Sequence, residues 1–123
     1  MIQEMFNNGN YAASKVLLDA TVVRHEALAS NMANIETPGY KRVDLPQDFG
    51  KKFAAAMHGG GTAPVPVLTA DPNAPSQRAD GTNVALDKEL LSMNRNAAEF
   101  DALSEFVSGS IKQLRLAISG RNA

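Results

Sequence analysis

The sequence predicts an all-α protein in which two long antiparallel helices form a coiled-coil-like hairpin. A partly disordered central loop, rich in Gly and Pro, joins them. In two separate stretches, apolar residues recur at intervals of three or four, which is the spacing of one helix face. The stretch between them contains a triple glycine and several prolines, which break regular structure. The 123 residues are 44% apolar but lack Trp, which favours elongated helices over a thick core.

The first long helix and its closing turn are predicted over residues 11–38. Residues 1–10 are predicted to be a flexible segment in which Ile2, Met5 and Phe6 form a small apolar hook that orders on binding. Two neighbouring stripes give the helix a face too broad for one partner helix to cover. The first stripe is Val16, Ala20, Val23 and Ala27, and the second is Leu18, Val22, His25, Ala29 and Met32.

Residues 39–82 form a variable central loop. A short helix is possible at 46–57, because Phe49, Phe53 and Met57 are four residues apart and Pro46 suits a first helical turn. A brief extended stretch is possible at 65–69. A connection this long in a small domain usually orders on a partner or has a function of its own.

The second long helix is predicted within residues 83–123, from about Val84 to Ser119. Asn83 or Thr82 is the expected N-cap, and Gly120 suits the exit. At about 1.5 Å per residue this helix is roughly 54 Å long against roughly 36 Å for the first, so part of it overhangs. Its apolar stripe comprises Leu86, Leu90, Met93, Ala97, Phe100, Leu103, Val107, Ile111, Leu114 and Ile118.

Charge and hydropathy exclude several classes of partner. The net charge is −1, with acids and bases interspersed, so we expect no nucleic-acid partner. No apolar run approaches the roughly 20 residues that span a bilayer, so no direct membrane insertion is expected. The polar beginning of the chain lacks the features of a secretory signal, so no cleavable signal peptide is expected, and export would need another route.

The sequence predicts no catalytic, cofactor-binding or metal site, and therefore no enzyme. Cysteine is absent, which excludes a thiolate nucleophile. His25 has no His or Cys one turn away, so a half-buried packing role is favoured over metal binding. Asp101 and Glu105 lie four apart on a helix but lack a nucleophile or phosphate-binding loop beside them.

The most informative run is residues 30–41, which closes the first helix. Asn31 and Asn34 are three apart and offer paired amide groups at the helix end. Pro38 and Gly39 fit the central positions of a type II turn, because glycine supplies the positive φ that this turn requires. A second run, residues 80–89, opens the other helix with Asp80-Gly81, Val84 and Leu86-Asp87.

These two runs resemble the signatures of bacterial flagellar axial proteins, and the chain is most similar to the basal-body rod protein family, closest to its proximal rod subunits. The resemblance covers about Val23 to Val43 and Asp80 to Ile118. It implies a structural subunit that polymerises into a multi-subunit helical drive shaft transmitting motor torque. The implied location is the rod region crossing the periplasm. The implied partners are other rod proteins, the rod-to-membrane-ring adaptor, the membrane ring and the flagellar export apparatus.

The expected contacts with neighbouring subunits lie at the turn and along the second helix. The predicted interface residues are Ser30, Asn31, Asn34, Thr37, Pro38, Gly39, Tyr40, Leu86, Leu90, Leu103, Val107, Ile111 and Leu114.

An alternative function is that of a helical adaptor or chaperone, which binds a partner helix in a saturable complex. A small enzyme is a weaker alternative.

Overall fold

The computed structural model describes residues 9–59, 62–74 and 77–120. In chain order the elements are α1 (Gly9–Ala33), β1 (Val43–Asp44), α2 (Phe49–Met57), β2 (Thr69–Ala70) and α3 (Leu86–Ser119). The protein is therefore mostly helical, as predicted, with a long C-terminal helix. The predicted apolar hook of Ile2, Met5 and Phe6 lies outside the described residues.

The two long helices, α1 and α3, run antiparallel. The Asn31 side chain near the end of α1 lies 3.4 Å from Glu89 near the start of α3. Further along, Asn96 Nδ2 donates to the Thr21 carbonyl at 2.8 Å. Their 25 and 34 residues correspond to about 38 Å and about 51 Å. The last turns of α3 therefore extend past the described part of α1.

The buried face of α1 differs from the predicted one. Ala20 and Ala27 of the first predicted stripe are buried, but Val22, His25 and Ala29 of the second are exposed. The buried side is instead marked by Ser14, Thr21 and Leu28, which are seven residues apart, and by Asn31, three residues after Leu28. His25 is thus not the half-buried packing residue that was predicted. Hydrophobic periodicity missed this face because its polar members are satisfied by hydrogen bonds.

The predicted N-cap of α3 is wrong, whereas the predicted exit is confirmed. Ala85 is the N-cap, with extended backbone and no side-chain capping bond. Asn83 Oδ1 instead accepts a hydrogen bond from the Arg42 backbone N–H at 2.6 Å. Thr82 does not cap the helix either, because its hydroxyl accepts a hydrogen bond from Arg78 Nε at 2.7 Å. At the other end, Gly120 adopts the left-handed conformation with φ 63°.

The central segment contributes α2 and a small antiparallel sheet. Val43 pairs with Ala70 and Asp44 with Thr69. Phe49 at the start of α2 is buried, and its ring stacks on that of Phe53 at 6.5 Å between centroids. The sheet places the residues that follow β2 beside those that precede β1, which positions the site described below.

Two glycines should respond in opposite directions to replacement by alanine. Gly109→Ala lies within α3, where an added Cβ meets nothing within 4 Å, so we expect about 0.5–1 kcal/mol of stabilisation. Gly81→Ala should cost about 1–2 kcal/mol, because Gly81 has φ +84° and its Cβ would lie 3.3 Å from the Gly39 Cα. Urea unfolding of both variants measures this. Equal effects of the two substitutions would contradict it.

Candidate functional site: a polar junction between the two sequence runs

The turn at the end of α1 has the predicted geometry. The Tyr40 N–H donates to the Thr37 carbonyl at 3.2 Å, and Gly39 has φ 77°. Both features are those of a type II turn with Pro38 and Gly39 at its centre. Asn34 secures the approach to the turn, because its Nδ2 donates to the Ser30 carbonyl at 2.9 Å and its Oδ1 accepts from the Thr37 hydroxyl at 3.1 Å.

The turn packs against the second sequence run. The Gly39 N–H donates to the Asp80 carbonyl at 2.8 Å, and Lys41 Nζ donates to the Gly81 carbonyl at 2.6 Å. Gly39 and Gly81 both have positive φ, and their backbones approach too closely for an unstrained Cβ at position 81. The two runs that stand out in the sequence are therefore neighbours in space.

Hydrogen bonds of Arg78 and Asp80 stabilise the conformation at the start of the second run, residues 80–89. Arg78 donates to the Thr82 hydroxyl and to the Ile35 carbonyl at the end of α1. Asp80 Oδ1 accepts from the Thr82 N–H at 3.0 Å. This backbone hydrogen bond is the main reason that the pKa of Asp80 is lowered, since it favours the charged carboxylate.

The lowered pKa of Asp80 predicts a contribution to stability that depends on pH. A carboxylate with a lowered folded-state pKa stabilises above its unfolded pKa, near 3.8, and loses that effect as the pH falls through the folded-state value. The difference in unfolding free energy between the wild type and Asp80→Asn should therefore be constant above about pH 5 and shrink in stronger acid. Urea titrations from pH 2 to pH 7 test this, with Asp87→Asn, an exposed acid in the first turn of α3, as control. A difference that grows in acid would contradict it.

Arg42 is the centre of a buried polar cluster, here called the polar junction, formed by Asn31, Tyr40, Arg42, Asp71 and Glu89. The Arg42 guanidinium bonds Glu89 through Nε, and Asp71 through Nη1 at 2.7 Å. It also contacts Asp44 Oδ2 at 3.0 Å. The side chains of Arg42 and Glu89 are only 10% and 1% exposed. One guanidinium thus links three carboxylates, which come from β1, from the residue after β2 and from α3.

The backbone of Arg42 is held as well as its side chain. Its N–H donates to Asn83 Oδ1, and its carbonyl accepts from the Asp71 N–H at 3.0 Å. Burial alone would lower the pKa of Arg42, but the hydrogen bonds that its guanidinium donates to Glu89 and Asp44 outweigh this effect, so the pKa is raised. Arg42 therefore remains charged at neutral pH.

Asn31 connects the helix pair to β1. It is fully buried, its Nδ2 donates to the Val43 carbonyl at 2.8 Å, and its Oδ1 accepts from the Val43 N–H at 3.0 Å. The Tyr40 hydroxyl also donates to Asn31 Oδ1 and lies 3.1 Å from the Ser30 hydroxyl. A single amide thus bonds β1 as a second neighbouring strand would, in addition to β2. Because it also lies 3.4 Å from Glu89, it joins α1, β1 and α3 at one point.

The predicted interface residues fall into two groups. The first group is shielded from solvent. Asn31 is buried, and six others are half-buried: Ser30, Asn34, Tyr40, Leu103, Val107 and Leu114. The exposed ones are Thr37, Pro38 and Gly39 at the turn, and Leu86, Leu90 and Ile111 on α3. Hydrogen bonds connect Ser30, Asn31, Asn34, Thr37 and Tyr40 of the turn group, and the α3 residues lie along one long helix.

Sequence reasoning missed Arg42, Asp71 and Glu89 as members of the site, and proposed Asn83 only as an N-cap of α3. Arg42 and Glu89 are separated by 47 positions, so no local pattern could pair them. The available signal was weak: Arg42 directly follows the turn run, and Glu89 lies within the second run. Glu89 lies one turn before Met93, on the side of α3 that faces α1. A charged side chain buried there requires a partner of opposite charge.

The arrangement is suited to holding segments together rather than to catalysis. In the described ranges, no group of three or more His, Cys, Asp or Glu residues could hold a metal ion. The acids of the polar junction are instead bonded to Arg42. No helix in the described part of the chain is long and apolar enough to cross a membrane.

Comparison with curated proteins identifies the family. The flagellar basal body rod protein FlgB of Aeromonas hydrophila is 32% identical over 110 residues, covering 79% of this chain and 83% of the relative. The chain belongs to the FlgB family. FlgB of Aquifex aeolicus is 29% identical over 112 residues, covering 87% of this chain and 90% of the relative. FlgB of Buchnera aphidicola is 43% identical over 54 residues, covering 42% and 40% respectively. No protein-family model matches the chain.

Membership in the FlgB family makes the chain a flagellar basal body rod protein, which is a structural protein and not an enzyme. The resemblance based on the two sequence runs is therefore confirmed. The polar junction, which those runs build together with Arg42 and Asp71, is an organising feature of a structural subunit.

Proposed function

We propose that this FlgB-family chain is a subunit of the proximal rod and polymerises with other rod proteins into the drive shaft that transmits motor torque. Its partners would be other rod proteins, the rod-to-membrane-ring adaptor and the membrane ring. It would reach the rod region crossing the periplasm through the flagellar export apparatus, without a cleavable signal peptide. The antiparallel pair would pack in a coiled-coil-like manner, which the seven-residue spacing of Ser14, Thr21 and Leu28 supports.

The observation that supports assembly best is the amount of apolar surface left on α3. Leu86 and Leu90 are 48% and 45% exposed, and Ile118 is 61% exposed. Contiguous exposed apolar patches mark interaction surfaces in soluble proteins, and Leu86 and Leu90 lie one turn apart on the same face of α3. Their burial by neighbours would stabilise a polymer by about 25 cal/mol per Å² of apolar area. The other exposed apolar residues of α3 are Leu91, Phe100, Phe106 and Ile111.

The polar junction would give the turn a fixed position on this surface. Through Tyr40 and Asn31, the exposed residues Thr37, Pro38 and Gly39 are tied to the helix pair. We propose that these three residues and the apolar residues of α3 contact neighbouring subunits directly. Asn31 would act from inside the subunit by holding β1 and the turn in place.

Substitution of two exposed leucines tests the proposal in cells. Leu86→Glu/Leu90→Glu should leave the isolated chain folded, because both side chains lie outside the buried core, but should prevent incorporation into basal bodies and abolish swimming. Lys51→Glu on α2 produces the same change in formal charge on an exposed residue and should be tolerated. Normal swimming of the leucine variant would contradict the proposed surface. A complex that saturates at one partner, rather than growing with concentration, would favour the adaptor alternative.

A further inference from the structure

An apolar groove with an acidic rim is lined by residues of both α1 and α3. It has a volume of about 390 Å³, and Val22, Ala97 and Phe100 supply apolar lining. Glu26 from α1 and Asp101 from α3 also line it, and both are exposed. Neither acid forms an ion pair with another described residue. The groove therefore offers apolar surface beside two uncompensated negative charges.

Asn96 lines this groove with an unused hydrogen-bond acceptor. The residue is 3% exposed, and its Nδ2 donates to the Thr21 carbonyl at 2.8 Å. Its Oδ1 is buried and receives no hydrogen bond from any residue that the structure describes. Because this oxygen is closed off from solvent, it does not select the occupant of the groove. An occupant that combines apolar groups with positive charges matches the apolar lining and the acidic rim.

The C-terminal part of α3 has this chemistry. Ile111, Arg115 and Ile118 follow one another at i, i+4 and i+7, which places them on one helix face, and Lys112 lies beside them. All four side chains are exposed. The register set by Asn31–Glu89 and Thr21–Asn96 places Gly9, the start of α1, opposite about residues 108–111, so the described part of α1 ends before it reaches Lys112, Arg115 and Ile118.

We infer that the basic, apolar face formed by Ile111, Lys112, Arg115 and Ile118 of one copy docks into the acidic groove of a second copy. Phe100 and Arg115 are about 22 Å apart along the same helix, so a chain cannot fill its own groove. Because two different surfaces meet, the contact is heterologous and repeats from copy to copy in a filament. The inference deepens the proposed function, since it names the contact by which the rod subunit would self-associate.

Charge reversal tests the contact with the purified full-length protein. Sedimentation velocity over a wide concentration range should show association of the wild type that weakens as salt is raised, because exposed charges are screened. Lys112→Glu/Arg115→Glu should weaken association at least tenfold, with unchanged helix content by circular dichroism. Glu26→Lys/Asp101→Lys should do the same. Association of either variant equal to that of the wild type would overturn the inference.

Mixing the two variants gives the sharper result. Their altered surfaces are complementary to each other, so an equimolar mixture should associate again to within about threefold of the wild type. The matched control, Lys51→Glu/Arg95→Glu, reverses two exposed basic residues outside both surfaces and should associate normally. No recovery on mixing, or loss of association in the control, would overturn the pairing of these surfaces.

Cross-linking identifies the occupant, and the natural absence of cysteine makes it simple. Ala97→Cys/Ile111→Cys should give a ladder of interchain products with a short bis-maleimide linker. Met5→Cys/Ile111→Cys should give no dominant intrachain product. If it does, the N-terminal segment of the same chain covers this face of α3 and the inference is wrong. Cross-links from Ile111→Cys to a different protein, without any ladder in the purified sample, would also overturn it.

Failure of this contact and failure of the proposed function would give different results. Basal bodies that require the chain, together with charge variants that still associate, would leave the rod assignment standing and remove this contact. Basal bodies that form normally without the chain would remove the rod assignment itself.

Discussion

Replacement of Arg42 by methionine is expected to destabilise the folded chain by about 3–5 kcal/mol. The substitution keeps the volume of the side chain but leaves the Glu89 carboxylate, 1% exposed, without its counter-charge. It also removes the hydrogen bonds to Asp44 and Asp71. Since folded domains are stable by only about 5–15 kcal/mol, much of the total would be lost. Urea unfolding followed by circular dichroism gives the value.

Two further variants separate the effect of the buried charge from that of losing any ion pair. Lys52→Met removes an exposed ion pair with Asp48, 3.0 Å long, and should cost less than about 0.5 kcal/mol. Arg42→Met/Glu89→Leu should recover part of the loss, because the most deeply buried carboxylate is removed together with its partner. A cost for Arg42→Met no larger than that of Lys52→Met would show that the polar junction does not hold the central segment.

Asn31→Asp is expected to cost about 2–4 kcal/mol at neutral pH, although it changes only an amide to a carboxyl. The Val43 carbonyl loses the donor 2.8 Å away, and the new carboxylate faces Glu89, which lies 3.4 Å from the present Nδ2. Burial and the neighbouring negative charge raise the pKa of the introduced carboxyl in the folded state. A raised folded-state pKa stabilises at low pH, so the cost should shrink as the pH falls.

Asn34→Asp is the matched control three positions along the chain. Asn34 is half-buried and donates to one backbone carbonyl, at Ser30, so its replacement should cost about 1 kcal/mol. Unfolding free energies of both variants from pH 4 to pH 8 make the comparison. Equal costs, or a cost of Asn31→Asp that grows in acid, would contradict the role assigned to Asn31.

Much of the helical architecture could be predicted from the sequence, because long helices leave a periodic trace. The spacing of apolar residues located the start of α1 and both ends of α3 to within two residues of their positions in the structure. The turn at Pro38-Gly39 was predictable because its dihedral angles demand those residue types. Gly120 was predictable as the exit of α3 for the same reason.

The packed faces and the polar junction could not be predicted in the same way. The buried side of α1 includes Ser14, Thr21 and Asn31, which a hydrophobic pattern treats as solvent-facing. Arg42 finds Asp71 and Glu89 only after the central segment folds back, and neither partner is near it in sequence. Long-range polar pairing depends on the tertiary fold, so one sequence read by local rules contains little information about it.

Electron microscopy of basal bodies from cells with and without this chain tests the central claim most directly. The proposed function predicts that basal bodies lacking the chain have a membrane ring but no proximal rod, and that the intact gene product restores the rod. A complete rod of normal length in cells that lack the chain would contradict the account.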